Sequence, residues 1–154
     1  MLNQKQKEFL LIPKALPTST HFINLRQMLP RNEWDRLRKK VYSAASNRCE
    51  LCGSDQRLEA HEIWMFDFEK KVQYLETLAA LCMHCHRFQH VNLLALQEDQ
   101  GIAHSWGTIN HFNKLTGQKV TQSQFFAMAN KEAIKLENIE WEVVINRSFD
   151  ELFQ

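Results

Sequence analysis

Two C-x-x-C pairs constrain this chain more than any other feature. Cys49 with Cys52 and Cys82 with Cys85 account for every cysteine of the 154 residues. Two such pairs place four thiolates tetrahedrally around one zinc ion, and four thiolates close the coordination shell to water and substrate. Because the sequence shows no export signal, a metal site is favoured over two disulfides. We therefore predict one structural Zn²⁺ held by these four cysteines.

The interval between the pairs is too long for a simple zinc ribbon. It runs for 29 residues from Gly53 to Leu81, where roughly 15–20 are typical. The interval contains His61 and Glu62, and the second pair is followed at once by His86 and then by His90. The two knuckles therefore enclose an additional structural unit that carries groups able to perform chemistry.

These motifs resemble those of the HNH (ββα-metal) endonuclease family. The matching pieces are C-E-L-C-G from Cys49, L-E-A-H-E-I-W from Leu58, and L-C-M-H-C-H from Leu81 with His90 after it. Within that family, the chain is similar to the four-cysteine zinc subgroup with an H-E-x-W signature. In that subgroup a tryptophan- and aspartate-rich helix precedes the first cysteine pair, as N-E-W-D-R-L-R-K-K does here from Asn32. The resemblance is strongest over residues 30–90.

The resemblance implies an α+β fold in which a small, zinc-stapled ββα-metal (HNH) module is embedded in flanking α-helices. It also implies a metal-dependent endonuclease that hydrolyses DNA phosphodiester bonds. In this family a strand histidine is the general base, and a divalent ion such as Mg²⁺ or Mn²⁺ is bound by the histidine after the second cysteine pair. Carried over to this chain, the catalytic residues are His61, Glu62, His86 and His90, with His86 and His90 as ligands of the divalent ion.

The assignment of the base has two alternatives. In the first, His61 is the base and His90 supplies a ligand, since Ala60 cannot. In the second, His61 binds the metal and Glu62 is the base. Successive strand side chains point to opposite faces, so His61 and Glu62 should not both face the site. The family's middle asparagine, which orients the base, corresponds to Thr77 in this chain. The alternative function is that of a catalytically inactive HNH fold that binds nucleic acid or protein.

Positive charge is concentrated in the N-terminal third. Residues 1–48 carry ten Lys or Arg against three Asp or Glu, although the whole chain has a net charge of only +1. Such a run is typical either of a solvated helix face or of phosphate contacts. The predicted contacts with nucleic acid, expected to be double-stranded DNA, are made by Arg36, Arg38, Lys39, Lys40, Arg48 and Arg87.

The length predicts a single domain over residues 1–154. Residues 1–29 are predicted as an extended arm, 46–97 as the HNH core and 98–154 as a helical extension. The helix before the first cysteine pair should begin at an Asn32 cap. One continuous helix should follow Met83, and stripes at helical spacing should form around Trp106 and Trp141.

No apolar run is long enough for a membrane span, so we expect a cytoplasmic protein. The sequence leaves the oligomeric state open.

Overall fold

The chain forms a small α+β fold around a three-stranded sheet. The structure, a computed structural model, describes residues 1–16 and 24–145. Within these residues the elements in chain order are α1 (Gln4–Leu10), α2 (Leu25–Met28), α3 (Arg31–Ala44), β1 (Leu58–Asp67), β2 (Val72–Cys82), α4 (Met83–Arg87), α5 (Val91–Asp99), α6 (Ser105–Thr116), α7 (Gln122–Leu136) and β3 (Glu142–Val144).

The β1–β2 hairpin is the centre of the fold. The two strands are antiparallel, from Leu58 opposite Cys82 to Asp67 opposite Val72. Ile63 pairs with Thr77 while the next residue pairs with Leu75, so β2 contains a β-bulge with one extra residue at this point. β3 adds to β2 in the parallel direction, which gives the order β1-β2-β3. β1 is therefore an edge strand among the described residues.

The two faces of the hairpin pack against different helices, as the period of two in a strand requires. One face contributes Ile63, Ala79 and Leu81 to a core shared with α4, α6 and α7. The other face contributes Trp64, Leu75, Leu78 and Ala80 to a core shared with α3 through Leu37 and Val41. The sheet consequently separates α3 from α4.

The first cysteine pair sits in a tight turn that is attached to β2. Gly53 has a left-handed φ of 76°, which a residue without a Cβ adopts at no steric cost. Its amide donates to the carbonyl of Cys49 over 2.8 Å. The amide of Glu50 donates to the carbonyl of Ala80 over 2.9 Å. These bonds hold the first knuckle beside the end of β2, where Cys82 lies.

The helix predicted after Met83 is interrupted. α4 ends at Arg87, and α5 begins at Val91 with His90 as its N-cap residue. The backbone of Lys14 occupies the gap: its amide donates to the carbonyl of Phe88 over 2.7 Å, and its carbonyl accepts from the amide of Val91 over 2.9 Å. Because these contacts satisfy backbone groups that a continuous helix would pair internally, the break is stable.

The predicted extended arm over residues 1–29 is wrong for the described part. α1 and α2 lie in it, and Leu10 and Leu25 are fully buried. A capping box between Asn3 and Gln6 starts α1, a signal of four residues that is easily overlooked in a sequence.

Three predictions about the other helices also need correction. α3 begins at Arg31, with Pro30 at the N-cap position in place of Asn32. Trp106 lies on α6, but its side chain is 74% exposed and does not join the buried stripe. The last predicted helix, the stripe around Trp141, is the short strand β3 where it is described, because Val143 and Val144 pair with β2. The rest of that predicted helix, residues 146–154, lies outside the described residues.

Candidate metal centres

The four cysteines form one cluster. One sulfur from each of Cys49, Cys52, Cys82 and Cys85 lies within 4.8 Å of the others, and none of the four forms a disulfide. The Sγ atoms of Cys52 and Cys82, which come from different knuckles, are 3.7 Å apart. The donor set is the one that binds structural zinc.

The electrostatics of the cluster fit a bound cation. Hydrogen bonds from Cys82 and Cys85 lower the pKa of Cys49 far below that of an ordinary thiol. In contrast, burial raises the pKa of Cys52 to about 12, and the hydrogen bond to Cys49 raises that of Cys85. Four thiols this close together, three of them buried, therefore cannot all ionise unless a positive charge lies among them, and a metal ion would supply that charge.

Two histidines beside the cysteine cluster, His111 and His84, were not predicted from the sequence to lie there. His111 of α6 places Nε2 3.3 Å from the Sγ of Cys85. The Nδ1 atom of His84 lies 2.9 Å from the Thr108 hydroxyl, and the His84 ring stacks on His111 with 5.4 Å between centroids. No local pattern signals these positions, because α6 reaches the knuckle only through tertiary packing.

A second cluster consists of His61, His86 and His90, the three histidines predicted from the sequence to form the catalytic site. One nitrogen from each of His61, His86 and His90 lies within 4.8 Å of the others. The ring centroids are 5.1 Å apart for His61 and His86, 5.3 Å for His61 and His90, and 4.7 Å for His86 and His90. These residues come from β1, from α4 and from the break before α5. Three imidazoles at one point could hold a divalent metal ion.

His61 is buried as a neutral imidazole. Its side chain is 6% exposed, and burial lowers its pKa well below the ordinary histidine value, with smaller contributions from the charges of His86, His90 and Lys14. Its Nδ1 is buried without a hydrogen-bond partner among the described residues. A buried ring nitrogen without a partner costs free energy, which a metal ion or a substrate water could recover.

Glu59 is hydrogen-bonded to one histidine of this cluster and was missed. Its Oε2 lies 2.8 Å from Nδ1 of His86, and this hydrogen bond lowers the pKa of Glu59. The E-A-H spacing was the available signal, because residues two apart on a strand share a face. Metal-binding histidines commonly donate their second N–H to a carboxylate.

Glu62 points to the opposite face of β1 from His61, as strand alternation predicted. Its Oε1 accepts a hydrogen bond from the Leu25 amide over 2.8 Å, and burial raises the pKa of its carboxyl group. Thr77, at the position of the family's asparagine, stands opposite Ile63, whereas the residue opposite His61 is Ala79.

The predicted basic residues of α3 are not gathered at the triad. α3, with Arg36, Arg38, Lys39 and Lys40, packs on the face of the sheet opposite to α4. Arg38 is paired with Asp35 over 2.8 Å, and Arg48 donates to the carbonyl of Gly53 over 3.3 Å.

Two other cations lie closer to the triad. The charges of Arg57 and Arg87 both lower the pKa of Glu59. Arg57 precedes β1 at a spacing of two from Glu59, and Arg87 follows His86 directly. Arg57 was missed, whereas Arg87 was predicted.

Comparisons with protein-family models, with curated proteins and with solved structures find no match to this chain. Across residues 1–16 and 24–145, no helix combines the length and the apolar character that a membrane crossing needs.

Proposed function

We propose that this protein is a metal-dependent endonuclease of the HNH type that hydrolyses DNA phosphodiester bonds. The observation that carries the proposal is the convergence of His61, His86 and His90 on one point between a β-hairpin and the following helix. The hairpin lies between the two cysteine pairs and the helix begins at the second pair, which is the order in the family that the sequence motifs resemble. The protein is proposed to act on nucleic acid in the cytoplasm.

The proposed roles follow from burial and hydrogen bonding. His61 is the general base, because its low pKa keeps the imidazole neutral and able to accept a proton at neutral pH. His86 and His90 hold the divalent ion, and Glu59 fixes the orientation of the His86 ring. The four-cysteine zinc is structural, since its shell is closed.

Hydrolysis requires water to attack phosphorus while the P–O bond to the leaving strand breaks. A bound Mg²⁺ or Mn²⁺ supplies Lewis-acid stabilisation of the negative charge that develops on the phosphoryl oxygens. His61 takes the proton from the attacking water. Arg57 and Arg87 add positive charge on the side of Glu59 and His86, where a phosphate can be held.

The proposal is tested with zinc-loaded protein, labelled single- and double-stranded DNA, and added Mg²⁺ or Mn²⁺. We expect His61→Ala to abolish cleavage and to leave binding of Mn²⁺ intact, while His86→Ala raises the Mn²⁺ concentration needed for activity. His104→Ala, on a histidine outside the triad, is the matched control and should cleave like wild type. Glu62→Gln should retain activity because its carboxylate faces α2.

The outcomes separate the alternatives for the base. Inactive Glu62→Gln, with a Mn²⁺ defect in His61→Ala, would make Glu62 the base and His61 a ligand. Wild-type protein that cleaves neither kind of DNA with either ion would overturn the endonuclease proposal. It would favour the alternative, an inactive HNH fold that only binds nucleic acid or protein.

A further inference from the structure

His90 lies at a break between two helices and not inside one. It is the N-cap residue of α5, with φ −134° and ψ 50°, whereas His86 lies within α4. The hydrogen-bond ladder of α5 begins at the carbonyl of His90, and the His90 amide makes a turn bond to the carbonyl of Arg87 over 3.2 Å. The contacts of the flanking residues therefore help to set where the His90 ring lies.

The residues on both sides of His90 pair with the backbone of one N-terminal segment, residues 10–16, which we call the 10–16 segment. The amide of Lys14 donates to the carbonyl of Phe88 over 2.7 Å, and the carbonyl of Lys14 accepts from the amide of Val91 over 2.9 Å. One residue of the segment is thus bonded to the chain both before and after His90. The backbone of His90 is held between these two bonds.

Two side chains of the break strengthen this attachment. Gln89, which is 2% exposed, donates from Nε2 to the carbonyl of Leu10 over 2.6 Å. Asn92, which is half-buried, donates from Nδ2 to the carbonyl of Leu16 over 3.2 Å. Leu10 and Leu16 are the two ends of the 10–16 segment. The side chains therefore fasten the segment at both of its ends.

The 10–16 segment is itself fixed against the rest of the fold. Leu10 and Pro13 are fully buried. Ahead of the segment, the amide of Leu2 donates to Oε1 of Glu50 over 3.2 Å, and Oε2 of Glu50 accepts from the Ala80 amide of β2 over 2.9 Å. The N-terminal part of the chain therefore connects the break to the same hairpin that contributes to the triad.

We propose that Gln89 and Asn92 are positioning residues of the metal site, which fasten the 10–16 segment to the break and thereby hold His90 in place. The inference rests on the proposed function, in which His90 is a ligand of the divalent ion. It gives the 10–16 segment, which supplies no proposed ligand, an influence on the affinity for that ion. Coupling between two sites is reciprocal, so the bound ion must in turn strengthen the attachment of the segment.

The competing explanation is that the segment only stabilises the fold. Gln89→Met would then destabilise the protein, because the buried carbonyl of Leu10 loses its donor, but the ion affinity of the folded protein would not change. Gln73→Met is the matched control. Gln73 is also a buried glutamine, 1% exposed, whose Oε1 has no partner among the described residues. It lies at the other end of β2 from Ala79, the residue opposite His61.

The first measurement is Mn²⁺ affinity, by electron paramagnetic resonance on zinc-loaded, full-length protein without DNA. Gln89→Met and Asn92→Ala should each weaken Mn²⁺ binding by roughly tenfold, the lower end of the effect of removing a group that orients a metal ligand. Gln73→Met should lower the melting temperature and leave Mn²⁺ affinity unchanged. Asn110→Ala, at an exposed asparagine of α6, is the control for Asn92→Ala. Asn92 is half-buried, so its variant should fold even if Gln89→Met does not.

The second measurement is amide hydrogen exchange with and without saturating Mn²⁺, read by mass spectrometry on peptides that contain Lys14 or Val91. The amides of these two residues bond between the segment and the break, so they exchange when the segment detaches. If detachment weakens Mn²⁺ binding roughly tenfold, saturating Mn²⁺ must slow this exchange in wild type by the same factor. Peptides of α3, on the other face of the sheet, should be slowed less.

Two results would overturn the positioning role: Gln89→Met and Asn92→Ala proteins that bind Mn²⁺ like their controls, or exchange at Lys14 and Val91 that Mn²⁺ leaves unchanged. Failure of the nuclease is a separate outcome. Mn²⁺ binding that is weakened in Asn92→Ala, in a protein that cleaves no DNA, supports the positioning role and rejects the nuclease. Cleavage whose Mn²⁺ requirement both variants leave unchanged supports the nuclease and rejects the positioning role. Wild-type protein that binds no Mn²⁺ would overturn the ion site and both proposals with it.

Discussion

The Oε2 atom of Glu59 lies 2.8 Å from Nδ1 of His86, a contact that joins β1 to α4. The hydrogen bond lowers the pKa of Glu59, so the carboxylate is ionised at neutral pH and the imidazole donates. A neutral imidazole that donates from Nδ1 has its lone pair on Nε2. Glu59 therefore sets the tautomer of His86 in which Nε2 can bind a metal ion.

Glu59→Ala should weaken Mn²⁺ binding by roughly 10–100-fold, the usual effect of removing such a carboxylate. Glu59→Gln should have a smaller effect, because its amide oxygen can still accept from Nδ1. Free Mn²⁺ can be measured by electron paramagnetic resonance on zinc-loaded protein, with Glu69→Ala in the exposed β1–β2 turn as the control. Equal Mn²⁺ affinity in the Glu59→Ala and Glu69→Ala proteins would show that Glu59 does not support the ligand.

Local patterns in the sequence predicted the cysteine cluster and the orientation of His61 well. Both depend on short spacings: a C-x-x-C turn brings two sulfurs together, and strand alternation separates His61 from Glu62. The residues that follow His86 show where such patterns fail. They continue the helical period, but the backbone of Lys14 pairs with Phe88 and Val91 and breaks the helix. A contact between residues so distant in sequence leaves no local signal.

His111, beside the cysteine cluster, was missed for the same reason. It reaches Cys85 from α6 through tertiary packing and lies in no motif. Trp106 fits the helical stripe of α6 as well as Phe112 does, yet only Phe112 is buried. Periodicity identifies an amphipathic face but not how much of it other elements cover.

Cys82→Ser should lose the structural zinc and unfold the protein, because metal binding supplies folding free energy to so small a module. Purified wild-type protein should contain about one tightly held zinc per chain. Metal analysis and thermal unfolding measure the two effects. Met83→Ala, on the neighbouring exposed side chain, should retain both zinc and stability. A folded Cys82→Ser protein with an unchanged melting temperature would exclude a stabilising zinc.

His111→Ala should loosen the same zinc without removing it. The Nε2 atom lies 3.3 Å from the Sγ of Cys85, where it can donate a hydrogen bond to the thiolate. Loss of such a partner reduces metal affinity by roughly tenfold or more, so zinc transfer to a chelator should be faster than in wild type. Lys114→Ala, on the exposed side of α6, provides the control. If both variants release zinc at the wild-type rate, the contact is only packing.

Arg57 and Arg87 should contact phosphates more than α3 does, because the sheet separates α3 from the triad. The double variant Arg57→Gln with Arg87→Gln should reduce the log–log salt dependence of DNA binding by roughly 0.7 to 0.9 per lost contact. Lys39→Gln with Lys40→Gln removes the same charge from α3 and should leave the slope unchanged. A reduced slope in the lysine pair alone would instead support the phosphate contacts predicted for α3.

Lys14 should make folding stability depend on pH in the neutral to alkaline range. Burial lowers the pKa of its side chain to about 7 from an ordinary 10.5, and the charge of Glu132 offsets only part of this effect. The Nζ atom donates to the carbonyls of Phe9 and Ile12 and lies 3.8 Å from the centre of the Phe9 ring.

Between about pH 7 and 10.5, the pKa values of Lys14 in the folded and in the unfolded protein, the unfolded chain binds a proton that the folded protein does not. The free energy of unfolding should therefore rise with pH from about 7 to 10, by at most about 1.4 kcal/mol per pH unit from this group. Lys14→Met should remove that part of the slope, whereas Lys39→Met, at an exposed position of α3, should not. Urea unfolding of the three zinc-loaded proteins across this range measures the difference. Parallel pH profiles for wild type and Lys14→Met would mean that the carbonyls and the Phe9 ring keep the ammonium charged in the folded state.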